Sequence, residues 1–243
     1  MKMLTFAARN AKEFVRDPLN LAFSLGFPLV LLALLSAIQA NVPVELFAIG
    51  TLTPGITVFG LSFMTLFSAT IIARDRSSAL LQRLYTTPLT PPDFILGYTL
   101  PILPIALAQC AVCYLFALVL GLPLSAGILR ALVGILPSAV LFIALGLLCG
   151  SAFTDKQVGG VCGALLTNLT AWLSGTWFDL SLVGGAFEKL ARLLPFFHAV
   201  EMERALLAGE VSGIFPHLWW VLGYALITLL AAAALFLRQM KRQ

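Results

Sequence analysis

Charge is scarce in this chain: Asp, Glu, Lys and Arg together make up 11% of its 243 residues, where an average soluble domain carries about 25%. A water-soluble globule is excluded, because 60% of the residues are hydrophobic and the mean hydropathy is +0.99. The sequence also lacks Gly-x-x-x-x-Gly-Lys followed by Ser or Thr, the loop that cradles nucleotide phosphates, so any ATP must bind on another polypeptide. His-Glu-x-x-His and Gly-x-Ser-x-Gly are missing too, and no cluster of carboxylates falls inside an apolar run. Those absences argue against an intramembrane protease or phosphotransferase, and they leave no catalytic residue to name. Cysteines are few, and Cys110, Cys113, Cys149 and Cys162 all fall within apolar stretches, which excludes a disulfide framework. The Cys110-x-x-Cys113 pair has no second pair or nearby histidine to complete a metal site and reads as small packing residues.

What the chain has instead is long apolar runs. Segments of about 18 to 25 apolar residues span a bilayer, and six such stretches predict helices over 19–38, 55–73, 94–122, 132–153, 158–178 and 218–237. The residues between them are too few for a soluble catalytic domain of about 100 residues, so 1–243 reads as a single all-α transmembrane domain. The basic segment before the first run resembles a signal peptide in charge, but a run of about 20 residues exceeds the usual cleaved core of about 7 to 15, and the first helix is expected to be retained.

An even number of spans puts both termini on one side. One face holds eleven basic residues, drawn from Lys2 to Arg16, Arg74, Arg76, Arg83, Lys156 and the tail; the other holds Arg130, Lys189, Arg192 and Arg204. The positive-inside rule then makes both termini cytoplasmic in a plasma membrane, and the formal net charge of +4 reflects this bias rather than nucleic-acid binding. Within 1–17, Leu4, Ala7, Ala8, Ala11, Phe14 and Val15 recur at helical spacing against Lys2, Arg9, Lys12, Glu13 and Arg16, which predicts an amphipathic helix lying on membrane lipid. Pro18 disfavours helix at Asp17 and predicts a bend.

The segment after the second run, Arg74-Asp75-Arg76-Ser77-Ser78-Ala79-Leu80-Leu81-Gln82-Arg83-Leu84-Tyr85-Thr86-Thr87-Pro88-Leu89, carries the most information. Leu80, Leu81, Leu84 and Tyr85 share one face of a short helix that Thr87-Pro88 stops. An apolar stripe with a basic flank suits docking in a partner's groove or lying on lipid headgroups. The segment resembles the coupling loop of the ATP-binding-cassette type-2 permeases, exporters of drugs, lipids and polysaccharides related to the eukaryotic G-subfamily transporters. Asp75 and Arg76 match that loop's opening acidic-Arg pair, Leu81 and Leu84 its leucines, and Thr87-Pro88-Leu89 its close, while Ser77, Ala79 and Gln82 stand where the family has Glu, Gly and Glu. The resemblance implies a cytosolic coupling helix, with Asp75, Arg76, Leu80, Leu81, Arg83, Leu84, Thr87, Pro88 and Leu89 transmitting ATP-driven closure from a separate nucleotide-binding subunit. It also implies a second permease copy, with ATP and Mg held by the partner and no cofactor bound by this chain.

Between Thr176 and Pro216 the sequence is too polar for another span, and 187–194 and 199–207 read as two short helices split by Pro195, with Gly209 as a stop. Family members have short re-entrant helices on the outer side at this place, and Glu188, Glu201, Glu203 and Arg204 are expected near the outer interface. His198 and Glu201 are two metal-type ligands without a third. Inside the spans, Gly146-x-x-x-Gly150 and Gly159-x-x-x-Gly163 permit close helix approach, and Pro28, Pro101, Pro104 and Pro137 are candidate kinks. Phe59, Phe63 and Phe67 form a stripe on the second span, and Thr167, Asn168 and Thr170 are polar positions in the fifth. The resemblance implies that these two helices line a path for a hydrophobic or amphiphilic substrate, with Phe59, Phe63, Thr167 and Asn168 on it; a lipid-facing stripe explains the phenylalanines equally well. A secondary transporter or channel-like protein without an ATPase is the alternative, and it would call for ionisable residues in mid-span or an inverted repeat.

Overall fold

Where water is excluded, a backbone must satisfy its own N–H and C=O groups, and long apolar runs do so as helices. The computed structural model describes residues 2–18, 22–43, 45–78 and 90–240, and every regular element among them is helical. Helix α1 is Lys2–Val15. Helix α2, Ala22–Gln39, opens with a π turn at Ala22–Gly26 and turns α-helical at Phe27. Helix α3 is Ile49–Ser77 and α4 is Pro91–Val119. Helix α5, Ala126–Ala152, is two α-helical pieces joined at Ile135. Helix α6 spans 155–173 with a π segment, Gly159–Leu166, at its centre. A 3-10 turn at Leu180–Leu182 precedes α7, Gly185–Leu193, then α8, Pro195–Ala208, and α9, Val211–Met240.

Five of these segments, α2, α3, α4, α5 and α9, are long and apolar enough to cross a membrane. This is a multi-pass all-helical membrane protein. The expected span at 158–178 is helical but falls outside those five: it starts with Asp155, Lys156 and Gln157, carries Thr167, Asn168 and Thr170, and ends at Leu173.

Helix α3 is the axis of the bundle, with 89% of its most apolar stretch buried, against 17% for α2 and 28% for α9. Its small residues make that possible. A Cβ on Gly146 of α5 would sit 2.6 Å from the Thr65 carbonyl oxygen of α3, and one on Gly150 would sit 2.7 Å from that of Ala69. Backbone cannot yield as a side-chain tip can, so the first glycine pair is what lets α5 reach α3. The hydroxyl of Thr65 donates across the same contact to the carbonyl of Phe142 at 2.7 Å. The second pair is different: a Cβ on Gly159 would meet nothing within 4 Å, and one on Gly163 only the tip of Leu66.

The prolines divide into two classes. Pro101 and Pro104 lie inside α4, and the helix continues through them. Pro28 and Pro137 lie inside α2 and α5, each in the first turn of an α-helical piece, Pro28 just after the π turn at Ala22–Gly26 and Pro137 just after the junction at Ile135. These are the places where α2 and α5 depart from regular α-helical geometry. Pro195 likewise begins α8, and Gly209 ends it in the left-handed region at φ 83°, with its N–H donated to Ala205 O.

Candidate functional site

The chemistry of this chain concentrates where α3 leaves the bundle at its basic end. Sequence patterning put Asp75 and Arg76 in a loop, yet α3 stays helical to Ser77 because each charge has a partner waiting. Asp75 is 2% exposed. Its carboxylate accepts two parallel bonds from the Arg9 guanidinium of α1, Nη1 to Oδ2 at 2.7 Å and Nη2 to Oδ1 at 2.9 Å, and a third from the Tyr98 hydroxyl of α4 at 2.9 Å. Fork-to-fork pairing of this kind is the strong form of an ion pair, because geometry as well as charge is satisfied. Burial pulls the Arg9 pKa down, but the bond and charge of Asp75 outweigh it and the net shift is upward.

Helix α1 is brought to this spot by a stripe at Phe6, Asn10 and Phe14. Phe6 meets the rings of Phe94 and Tyr98 edge-on at 5.8 and 5.0 Å, and Phe14 meets Phe67 at 5.3 Å. The amide of Asn10 donates to the Gly97 carbonyl at 3.0 Å, and a Cβ on Gly97 would lie 2.3 Å from the Phe6 ring. Glycine there is a condition of docking. The buried face is therefore rotated from the one that hydropathy alone selects: Leu4 and Val15 remain 57% and 60% exposed, while polar Asn10 is buried. With its Oδ1 also accepting from Arg9 Nη1 at 2.8 Å, both ends of the Asn10 amide are satisfied and the residue can face inward.

Arg76 faces the other way. Its Nη1 donates to the carbonyls of Gly150 at 2.7 Å, Ser151 at 2.6 Å and Phe153 at 3.2 Å. These belong to the last turn of α5, where carbonyls have no helical partner and the helix dipole favours a cation. Two consecutive residues thus tie the end of α3 to α1, α4 and α5. Residues 79–89 follow this junction in the chain, and Thr90 starts α4 with a capping box to Asp93. The remaining expected coupling residues, Leu80, Leu81, Arg83, Leu84, Thr87, Pro88 and Leu89, lie outside the described residues.

Of the expected path residues, Phe59 and Phe63 are buried in an aromatic column with Phe23, Phe27 and Trp177, at ring separations of 5.6 to 6.5 Å. Thr167 and Asn168 turn their polar groups back onto Cys162 O and Ala164 O of their own helix, and Asn168 is exposed.

At the opposite end, three arrangements escaped sequence reasoning. Arg204 bonds Glu201 at 2.7 Å, Gly175 O at 2.9 Å and Thr51 O at 3.2 Å, joining α8 to the chain after α6 and to the start of α3. His198 pairs through Nδ1 with Nδ1 of His217 at 2.8 Å and through Nε2 with Arg192 O, rather than with Glu201. Among the described residues no group of three His, Cys, Asp or Glu side chains could hold a metal ion. Glu203, expected at an interface, is 0% exposed and accepts a bond from the Tyr114 hydroxyl at 2.8 Å. Among the described residues its other carboxyl oxygen, Oε2, has no hydrogen-bond partner.

Burial pushes the Glu203 pKa from 4.5 up to about 8, with the Tyr114 bond opposing the shift. An acid whose folded pKa is raised keeps a proton in the fold that it gives up on unfolding. Stability is therefore greatest below about 4.5 and declines as pH rises to about 8. Glu203→Gln is expected to remove that decline. Thermal unfolding in detergent should show the variant gaining over the parent progressively with pH, and an offset that does not change with pH would mean the carboxyl is not held neutral.

A model of the ABC-2 type transporter family matches residues 1–208. The chain belongs to the ABC-2 type transporter family. No curated protein matches the sequence. The matched region of this ABC-2 chain runs from α1 to the end of α8 and contains the Arg9–Asp75–Tyr98 junction. The ABC-2 membrane domain is a transport subunit without a nucleotide-binding site.

Proposed function

We propose that this chain is the permease subunit of an ATP-driven exporter, with ATP and Mg bound and hydrolysed on a separate partner subunit. The observation that carries the coupling mechanism is the junction at the end of α3, where Arg9, Tyr98 and the carbonyls of Gly150, Ser151 and Phe153 converge on Asp75 and Arg76. In this mechanism an ATPase pushes on the coupling segment that follows Ser78, and Asp75 and Arg76 pass the push to α1, α4 and α5.

In this reading α6 is a sixth span, both termini are cytoplasmic in a bacterial plasma membrane, and α7 and α8 are re-entrant on the outer side. Two copies form the pathway. The exposed face of α6, with Leu165 at 58%, Leu169 at 39% and Trp172 at 56% around Asn168, and the open space over Gly159 and Gly160, leave room for the second copy. The aromatic column around Phe59 and Phe63 favours a hydrophobic or amphiphilic substrate. Purification from native membrane is expected to recover a stoichiometric ATPase in a complex of two permeases and two ATPase subunits, while the chain alone hydrolyses no ATP. Transport-competent chain that recovers no ATPase would instead support a secondary transporter.

A further inference from the structure

Beside the junction, α1 and the end of α3 leave an open cleft of about 760 Å³ that the coupling mechanism does not use. Its walls carry Arg9, Lys12 and Arg16 from one side of α1 and Arg74 from α3. Arg9 is committed to Asp75 and Glu13. The other three cations are not committed in this way: among the described residues Lys12 and Arg16 have no ion-pair or hydrogen-bond partner for their side chains, and both are exposed. Arg74 is 54% exposed and comes no nearer than 4.0 Å to Asp17 and 3.9 Å to Asp155, at the outer limit of an ion pair. The acidic groups nearby are accounted for, with Glu13 at 2.7 Å from Arg9 and Asp17 opposite Arg74. The cleft is lined by four cations and two carboxylates, Glu13 and Asp17, with Asp155 also at the edge of reach of Arg74, and the excess of positive charge favours an anion between them.

The surroundings narrow the class of anion. Thr5, Ala8, Glu13, Asp17 and Pro18 make up the rest of the cleft wall. On α1 itself Leu4 and Val15 are 57% and 60% exposed, and near the start of α2 Phe23 and Phe27 are 53% and 38% exposed. A free phosphate needs only the cations. Exposed apolar residues on the helix that carries these cations fit a ligand whose charge is joined to hydrocarbon. We propose that the cleft between α1 and the end of α3 binds the phosphate headgroup of an anionic glycerophospholipid, with its acyl chains along the exposed apolar residues of α1 and α2. The lipid phosphate bridges the same two helices that Arg9 and Asp75 join, and so reinforces the junction from outside. Binding itself needs only that the chain is embedded in a bilayer, and its consequence for coupling rests on the permease reading above.

The test uses the full chain alone in nanodiscs of phosphatidylcholine with a minority of phosphatidylglycerol, released and weighed by native mass spectrometry. The parent is expected to retain phosphatidylglycerol in preference to phosphatidylcholine. Lys12→Ala, Arg16→Ala and Arg74→Ala together should lose on the order of a hundredfold in that preference, roughly fivefold for each cation removed. The triple variant should unfold near the parent temperature in pure phosphatidylcholine and should lose the rise that phosphatidylglycerol gives the parent. Arg238→Ala, which removes a cation at the far end of α9, should leave the preference intact. An equal loss in Arg238→Ala would reduce the effect to diffuse charge attraction and overturn the site. Displacement of phosphatidylglycerol by millimolar inorganic phosphate, with the same thermal rise, would make it a free-anion site and overturn the lipid assignment. Because no ATPase takes part, failure here is distinct from failure of the permease reading.

Discussion

Arg9→Ala is expected to cost about 3 kcal/mol and to uncouple the chain from its ATPase. The deleted residue is the more exposed partner, 39% against 2% for Asp75, and that asymmetry sets the size of the effect. Without Arg9 the Asp75 carboxylate stays buried with the Tyr98 hydroxyl alone, and orphaning one member of a buried pair costs about 3–5 kcal/mol. Water entering beside Asp75 places the cost at the lower end of that range. The converse change is milder. In Asp75→Asn the isosteric amide keeps an acceptor for Tyr98 or Arg9, and Arg9 can turn to solvent or to Glu13, already 2.7 Å away. The double variant Arg9→Ala with Asp75→Asn should recover much of the loss, since no charge is then left buried. A cysteine pair bridging α1 and α4 would report docking, and transport by the reconstituted complex would report coupling. Additive single effects would show that the two side chains do not act as a unit.

Arg9 also marks how far this junction was legible in the residues themselves. The helix at the start of the chain was readable from its 3.6-residue period, but its orientation was not, because Phe6 and Asn10 face inward only where Gly97 leaves a gap and a carbonyl to fill. That complementarity joins residues 87 apart, and no local pattern contains it. Asp75 and Arg76 were found through a motif, although charge placed them outside the span; their burial depends on Tyr98 and on the carbonyls that end α5, which a linear reading does not pair with them. The long apolar runs of α3, α4, α5 and α9 were readable because hydropathy is additive along a helix. Glu203 was misplaced for the same reason: hydropathy assigns an acid to a surface, and only the meeting of α8 with Tyr114 of α4 buries it. His198 was paired with the nearer Glu201 because its partner, His217, lies 19 residues away on another helix.

The junction also changes what is expected of the loop it anchors, and Leu84→Asp and Arg76→Ala now separate two kinds of failure. Arg76 holds the end of α5 through three carbonyls. Its removal should leave those groups to water or unpaired, at about 1–3 kcal/mol if they stay buried. That defect lies within the permease: thermal stability should fall while the ATPase still binds. Leu84 lies on the apolar stripe of the expected coupling helix. Burial of a leucine in a partner's cleft contributes roughly 1.5–3 kcal/mol, and a carboxylate in its place adds a desolvation cost on top of losing that contact. Leu84→Asp should therefore insert and fold like the parent, because it changes no residue of the five long apolar helices, yet fail to retain the ATPase in pull-down and fail to transport. Unchanged ATPase retention and transport in Leu84→Asp would remove this loop from the coupling route, leaving Asp75 and Arg76 as a structural clamp at the end of α3.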